Sequence, residues 1–320
     1  PMSHMVEEMA YVGRTPWHGL GNELDSGQPL EVWARQAGLN WSIEESPVQF
    51  PVVTGDGQED LQSVPGSKVL YRSDNQAPLS VVGDRFKVVQ PEAILEFYRD
   101  LTEVSGFELE TAGSLKGGRK LWALARTGQS TTLKGGDQTD AYVLLATACD
   151  GSMATTAQFT SVRVVCNNTL AVAVNGAGGA VKVKHSTEFD AEAVKKQLGI
   201  SVSAWDEFMV RLKTLSDRKV KDREAQDFYR ELFTDIPGQP AGKTNERAMK
   251  QALSMFEGNG TGSQLASSQG TAYGLVNAVT EFIDHERRAK SVDHRLDSAW
   301  FGNGAAIKER AFDKALQLVA

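Results

Sequence analysis

The stretch Lys68-Val69-Leu70-Tyr71-Arg72-Ser73-Asp74-Asn75-Gln76-Ala77-Pro78-Leu79-Ser80-Val81-Val82-Gly83-Asp84-Arg85-Phe86-Lys87-Val88-Val89 sets two apolar runs around a polar break at Asp74-Asn75. β-Branched and aromatic residues suit a pleated, half-buried surface, and an Asp-Asn pair favours a turn. The stretch predicts a β-hairpin with Lys68–Arg72 as one arm and Leu79–Val89 as the other. Runs of the same kind extend from 41 to 185. They are broken at Asp56-Gly57, Gly83-Asp84, Gly117-Gly118, Gly135-Gly136 and Asp150-Gly151. One helix is expected to interrupt them at 91–103, with Ile94, Leu95, Phe97, Tyr98 and Leu101 on its apolar face and Pro91 in its first turn. A second is expected to start after Cys166, capped by Asn167 or Asn168.

On the N-terminal side, an arm runs to Gly27, and its Gly- and Pro-rich stretch at 13–21 reads as an ordered loop. A short helix is expected at 29–38, with Leu30, Val32, Trp33 and Ala37 as apolar positions and Gly38 as its stop. Beyond 190 the spacing turns helical, at 190–215, 222–233, 243–257, 271–288 and 304–319, with Gly258-Asn259-Gly260-Thr261-Gly262-Ser263 as a flexible break. Strands grouped before helices predict an α+β fold, an antiparallel β-sheet and hairpin core with packed helices followed by a helical C-terminal region. The expected divisions are 1–40, 41–188 and 189–320, with the flexible segment near 257–270.

A chain of 320 residues can bury one large core or two modest ones. No stretch approaches the roughly 20 apolar residues of a membrane span, so no membrane partner is expected. Pro1-Met2-Ser3-His4-Met5 reads as a cloning scar before a start at Met5, and no secretory signal follows, so the expected location is the cytoplasm. Cys149 and Cys166 make neither a disulfide framework nor a zinc cluster, and both read as buried thiols. The net charge of −7 speaks against a generic nucleic-acid binder. The first sixty residues, however, hold two basic side chains, Arg14 and Arg35, against ten acidic ones, which leaves the remainder close to neutral and slightly basic.

Phosphate-binding glycine loops, the nucleophile elbow G-x-S-x-G and the zinc motif H-E-x-x-H are all absent from the sequence. The glycines at 258–262 follow no apolar strand. Cys166 with His185 is a formal nucleophile–base pair, but a buried cysteine at a strand end explains Cys166 more simply. His18 follows Trp17 in the N-terminal arm. Asp284-His285 and Asp293-His294 pair carboxylate with imidazole, a set that suits manganese, iron or zinc. They are the candidate ligands if a divalent metal is used; helix-end polar contacts are the plainer reading, and otherwise no cofactor is expected.

Basic residues on strands are more informative, because alternate strand residues share a face. Arg85 and Lys87 share one face, and so do Lys182 and Lys184. In Arg119-Lys120-Leu121-Trp122-Ala123-Leu124-Ala125-Arg126, one face carries Lys120, Trp122 and Arg126, and the other Leu121, Ala123 and Ala125. Arg163 stands opposite Val162 and Val164. Cations neutralise phosphates and an aromatic ring stacks on an unpaired base, so this pattern suits a sequence-tolerant single-strand groove. A solvated outer sheet face with Trp122 in the core has the same pattern.

Arg163-Val164-Val165-Cys166-Asn167-Asn168-Thr169-Leu170 resembles the signature of a phage- and plasmid-borne family of unknown function. The stretches Gly13–Gly21, Val82–Gln90, Gly117–Leu124, Gly270–Leu275, Asn277–Glu281, Asp284–Arg287 and Phe301-Gly302 fit it in the same order. The resemblance implies a role in replication, recombination or defence on mobile elements. More remotely, the hairpin and helix at 68–103 resemble the core of the Red-beta and Rad-type single-strand annealing superfamily, a fold-level analogy that implies rings or filaments with DNA in a basic groove.

The leading expectation is a single-stranded DNA-binding or annealing protein that acts in recombination or replication without ATP, as a homo-oligomer. Arg85, Lys87, Arg119, Lys120, Arg126, Arg163, Lys182 and Lys184 are its expected phosphate contacts. Trp122 is its stacking ring, and Asn167 and Asn168 are backbone contacts or caps. Two alternatives come from other classes: a metal-dependent enzyme on nucleic acid or nucleotide, and an interaction protein that counters a host system through its acidic N-terminal sixty residues.

Overall fold

A computed structural model describes residues 6–13, 21–165, 168–172, 180–202, 205–234, 236, 240–290 and 292–320. The expected fold class is found: antiparallel-dominated sheets, then a mainly helical C-terminal region. One sheet has three strands in the order β3 (Ile43–Val53), β4 (Glu59–Arg72), β5 (Pro78–Gly83). The predicted hairpin is its β4–β5 half, with Lys68 opposite Val82 and Leu70 opposite Ser80, but its second arm ends at Gly83 and the expected continuation to Val89 is a loop that turns at Gly83-Asp84. The other sheet has eight strands, β1 (Val6–Val12), β2 (Asn22–Leu24), β6 (Glu108–Leu115), β7 (Lys120–Leu133), β8 (Asp137–Ala148), β9 (Thr155–Arg163), β10 (Asn168–Ala171) and β11 (Ala180–Val183). Its order is β10-β9-β8-β7-β6-β1-β2, with β11 on the other half of β9. Every glycine-marked turn expected between 56 and 151 falls at a strand boundary.

The chain divides into two compact units. The first comprises residues 1–127, 143–158 and 180–198, and the second 128–142, 159–179 and 199–320. The first holds the three-stranded sheet, helix α1 (Leu30–Gln36) and the short helices α2 (Pro91–Glu96) and α3 (Arg99–Glu103). The single helix expected at 91–103 is thus two. At Tyr98 the backbone (φ −91°, ψ −7°) leaves the helical ladder, and the phenol turns inward to donate to the carbonyls of Ala123 and Val143, both at 2.9 Å. That inward turn helps to bury the first half of β7, Lys120–Ala125, on both faces, although its alternation predicted one open polar face; from Arg126 onward exposed positions return.

In the second unit, helix α8 (Ala272–Glu281) is buried from Ala272 to Thr280 on all sides, as an apolar-all-round helix requires. Around it stand α5 (Trp205–Asp217), α6 (Asp222–Leu232), α7 (Glu246–Ser254), α9 (Val292–Phe301) and α10 (Asn303–Gln317). Helix α4 (Ala191–Val202) precedes them in sequence and belongs to the first unit through Leu198. Of these only α9 has no counterpart in the sequence reading. Phe208 meets Phe312 at 5.4 Å between ring centres, and the Tyr229 phenol donates to the Leu275 carbonyl at 3.2 Å.

The helix expected after Cys166 is instead strand β10. Asn168 lies opposite Arg163 and Ala171 opposite Thr160, so the segment turns back on β9 as a hairpin. Backbone bonds to β9 and the β-branched Thr169 outweigh the capping potential of Asn168. Cys166 and Asn167 lie outside the described residues, as do His18 and the side chain of Asp293.

Candidate functional site

In the first unit, two of the basic segments meet. The amide of Lys87 donates to the carbonyl of His185 at 2.6 Å. The Phe86 and His185 rings stack at 4.3 Å with 16° between their planes. The imidazole is held further, with Nδ1 3.1 Å from the Lys87 carbonyl and Nε2 3.1 Å from that of Met153. Arg85 and Lys87, in the loop after β5, and Lys182 and Lys184, on and just after β11, are all exposed. Lys87 pairs with exposed Glu188 at 2.8 Å, and that bond raises its pKa. The remaining three lack a carboxylate within 4 Å among the described residues. Arg119 and Arg126 are exposed in the same unit, the latter paired with Glu110 at 3.1 Å.

Not every expected contact residue lies open. Lys120 and Trp122 are 4% and 1% exposed, in the half of β7 that is covered on both faces. Arg163 and Asn168 belong to the second unit and are buried there, in a polar network that also takes in Asp284 and His285.

That network starts at Arg163. Its guanidinium grips Asp137 with two bonds, Nε to Oδ1 at 2.8 Å and Nη2 to Oδ2 at 2.7 Å. Nη2 also donates to the Gly262 carbonyl at 3.0 Å and Ser268 Oγ at 2.9 Å, while Ser267 Oγ donates to Asp137 at 2.6 Å. A guanidinium fork matched to a carboxylate in low dielectric is the strong form of such a bond. Tyr273 lies 5.6 Å from the guanidinium. Burial, with Asp137 adding to it, pushes its phenol up to about 12.

Asn277 carries the network onward, donating to Ser268 Oγ at 3.0 Å and accepting from Asn168 at 3.4 Å. Asn168 Oδ1 faces His285 Nε2 at 3.1 Å. Next to it, Asp284 receives Lys308 on one oxygen at 2.7 Å and the Thr169 amide on the other at 2.7 Å, and Lys308 also reaches Thr169 Oγ1 at 2.7 Å. Burial lowers the Lys308 pKa, and Asp284 opposes that shift. Both aspartates spend both carboxylate oxygens on protein donors, so the network works as a clasp between the β9–β10 hairpin, the 260–271 segment, α8 and α10.

Asp284 and His285, two of the four candidate metal ligands, are therefore engaged within the clasp, and His294 is half-buried on α9. Among the described residues, no three His, Cys, Asp or Glu side chains converge. Cys149 is buried, and desolvation, then Asp150, pushes its thiol up to about 12. No helix among the described residues is long and apolar enough to cross a membrane.

The sequence reading missed Asp137, Ser267, Ser268 and Lys308. Each sits in a stretch that reads as turn, loop or solvated helix, and its partner is distant in sequence. Four of the stretches that carried the family resemblance, 163–170, 270–275, 277–281 and 284–287, supply most of the clasp.

Fold and site thus define an α+β protein with an exposed basic strip on one unit and a buried ionic clasp in the other. A family model described as Domain of unknown function (DUF932) matches residues 78–300, and the chain belongs to that family. No curated protein and no solved structure matches the chain.

Proposed function

We propose that the protein binds single-stranded DNA through the strip formed by Arg85, Lys87, Lys182 and Lys184, with Arg119 and Arg126 as further exposed cations of the same unit. The observation that carries this reading is the junction of the 85–87 and 182–185 segments beside the stacked Phe86–His185 pair. Cations track the backbone and a half-buried aromatic pair offers a stacking edge, which together serve any base sequence. The stacking role passes from Trp122 to Phe86 and His185. Lys120, Arg163 and Asn168 are structural in this reading, and Asn167 keeps its expected role as a backbone contact.

The resemblance to phage- and plasmid-borne proteins supports annealing in recombination or replication, in the cytoplasm and without ATP. Assembly into a ring or filament is supported by the outer part of the β3–β4 hairpin, which exposes Phe50 and Val64 on one face and Val53 and Leu61 on the other. Exposed apolar clusters of this kind mark interaction surfaces.

Anisotropy titration of a labelled oligothymidine at low salt tests the reading. The parent protein is expected to bind, and K182A/K184A to bind at least tenfold more weakly. Two lost phosphate contacts should lower the log–log salt slope by about 1.4. A parent protein without affinity for single strands at low salt would end the proposal.

A further inference from the structure

A cavity of about 300 Å³ opens in the second unit, between the first turn of α7, the side chains of Phe233 and Ile236, and Phe282, Arg287 and Arg288. Three guanidiniums line it: Arg247 on α7, and Arg287 and Arg288 after the π-helical turn Phe282–Glu286. Asn245 and Gln251 add polar groups, and Phe233 and Phe282, in edge contact at 5.8 Å, form part of its apolar floor.

The arginines of this chain divide between those with a carboxylate partner and those, such as Arg85 and Arg310, without one among the described residues. Arg72, Arg99, Arg126, Arg163, Arg211, Arg218 and Arg230 each have a carboxylate within 4 Å. Among the described residues, none of the three cavity arginines has one. Glu246 and Glu286, their sequence neighbours, are exposed and do not line the cavity. Arg287 is half-buried, its one side-chain hydrogen bond is to Ser298 at a long 3.5 Å, and burial alone lowers its pKa. Three guanidiniums around one cavity, one of them half-buried, offer a single anion several charged donors at once. Asn245, whose side chain caps α7 by accepting from the Ala248 amide at 3.1 Å, places the positive end of that helix at the same wall.

We propose that this cavity is a binding site for a phosphate monoester carried on a body no larger than a nucleotide. A carboxylate brings one charge and two oxygens. A phosphate monoester brings about −1.5 to −2 near neutral pH and three oxygens, a closer match to three guanidinium forks. The volume is at the small end of ligand pockets, enough for one nucleotide and not for a longer segment. The same chemistry has two sources, a free nucleotide and the 5′ end of a DNA strand. The proposal stands on other residues than the DNA-binding strip and does not depend on it.

Calorimetric titration with thymidine 5′-monophosphate, with thymidine as control, tests it on the full chain. The monophosphate is expected to bind and thymidine not. R247A/R288A removes two exposed side chains, so folding is not at stake, and circular dichroism checks this. Affinity should fall about tenfold or more for each guanidinium lost. K182A/K184A should leave monophosphate binding unchanged even if it abolishes strand binding, which separates this site from the strip. Absent binding, equal binding of thymidine, or an unaffected R247A/R288A variant would each overturn the proposal. Competition then assigns the source. Displacement by a 5′-phosphorylated oligothymidine but not by its 5′-hydroxyl form points to a strand end, and displacement by neither points to a free nucleotide. Equal displacement by both would show that internal phosphodiesters suffice and overturn the monoester assignment.

Discussion

Arg163 shows how one side chain can carry opposite readings. On a strand of unknown burial, an arginine between valines invites a phosphate. Here its side chain is 4% exposed and Asp137's is 0%, and the two meet in a bidentate bond. Removing one partner of such a pair strands a charge away from water, at a cost of about 3–5 kcal/mol, whereas replacing both with apolar residues costs far less. Asp137→Ala is therefore expected to lose about 3–5 kcal/mol of stability in urea unfolding. D137L/R163M should lose much less than the two single variants added together. A single variant within about 0.5 kcal/mol of the parent would show that the pair is not buried as described.

Elements were legible wherever local pattern and tertiary demand agree. The 68–83 hairpin, helix α1 and helices α4 to α8 and α10 follow from periodicity and turn chemistry. The failures lie where partners distant in sequence decide. Asn168 has the chemistry of a helix cap, but pairing with β9 makes it the first residue of β10. The Gly258–Ser263 stretch reads as a flexible break, yet the Thr261 amide donates to Glu281 at 3.0 Å and Arg163 holds the Gly262 carbonyl. The basic strip was half legible: its cations could be named, but Arg85 and Lys87 lie in a loop rather than on the expected strand, and the union of 85–87 with 182–185 could not be read. Helix α8 gives a test at this scale. Glycine in a helix interior costs about 1 kcal/mol relative to alanine, so propensity alone favours Gly274→Ala. A methyl group there would stand 2.0 Å from the Ser268 carbonyl oxygen, a backbone atom tied into the clasp. Overpacking of this kind costs about 1–3 kcal/mol, so the clash outweighs the propensity. Gly274→Ala is expected to lower the melting temperature; a rise would mean that the 260–271 segment yields freely.

Across the whole molecule, buried ionisable groups in both units bias stability in the same direction at high pH. Cys149 and Tyr98 lie in the first unit, Tyr229 and Tyr273 in the second. Burial holds the Cys149 thiol and the Tyr273 phenol up to about 12, and raises Tyr98 and Tyr229 well above the ordinary phenol value of 10.0. For an acid whose folded pKa is raised, the folded chain keeps a proton that the unfolded chain has released. Stability therefore falls as pH rises through the window, from about 9 for the thiol and about 10 for the phenols. Lys308 has the opposite sign. Its folded pKa is lowered from 10.5, so the unfolded chain binds more protons below that value, and stability gains with pH until about 10.5 and no further. Above that point, among these groups, only the falling contributions remain, each worth about 1.4 kcal/mol per pH unit. Alkaline titration followed by tyrosinate absorbance and circular dichroism should thus show the Tyr98, Tyr229 and Tyr273 phenols ionising only as the fold is lost. Ionisation of all six tyrosines with the dichroism intact would contradict the burial of these phenols.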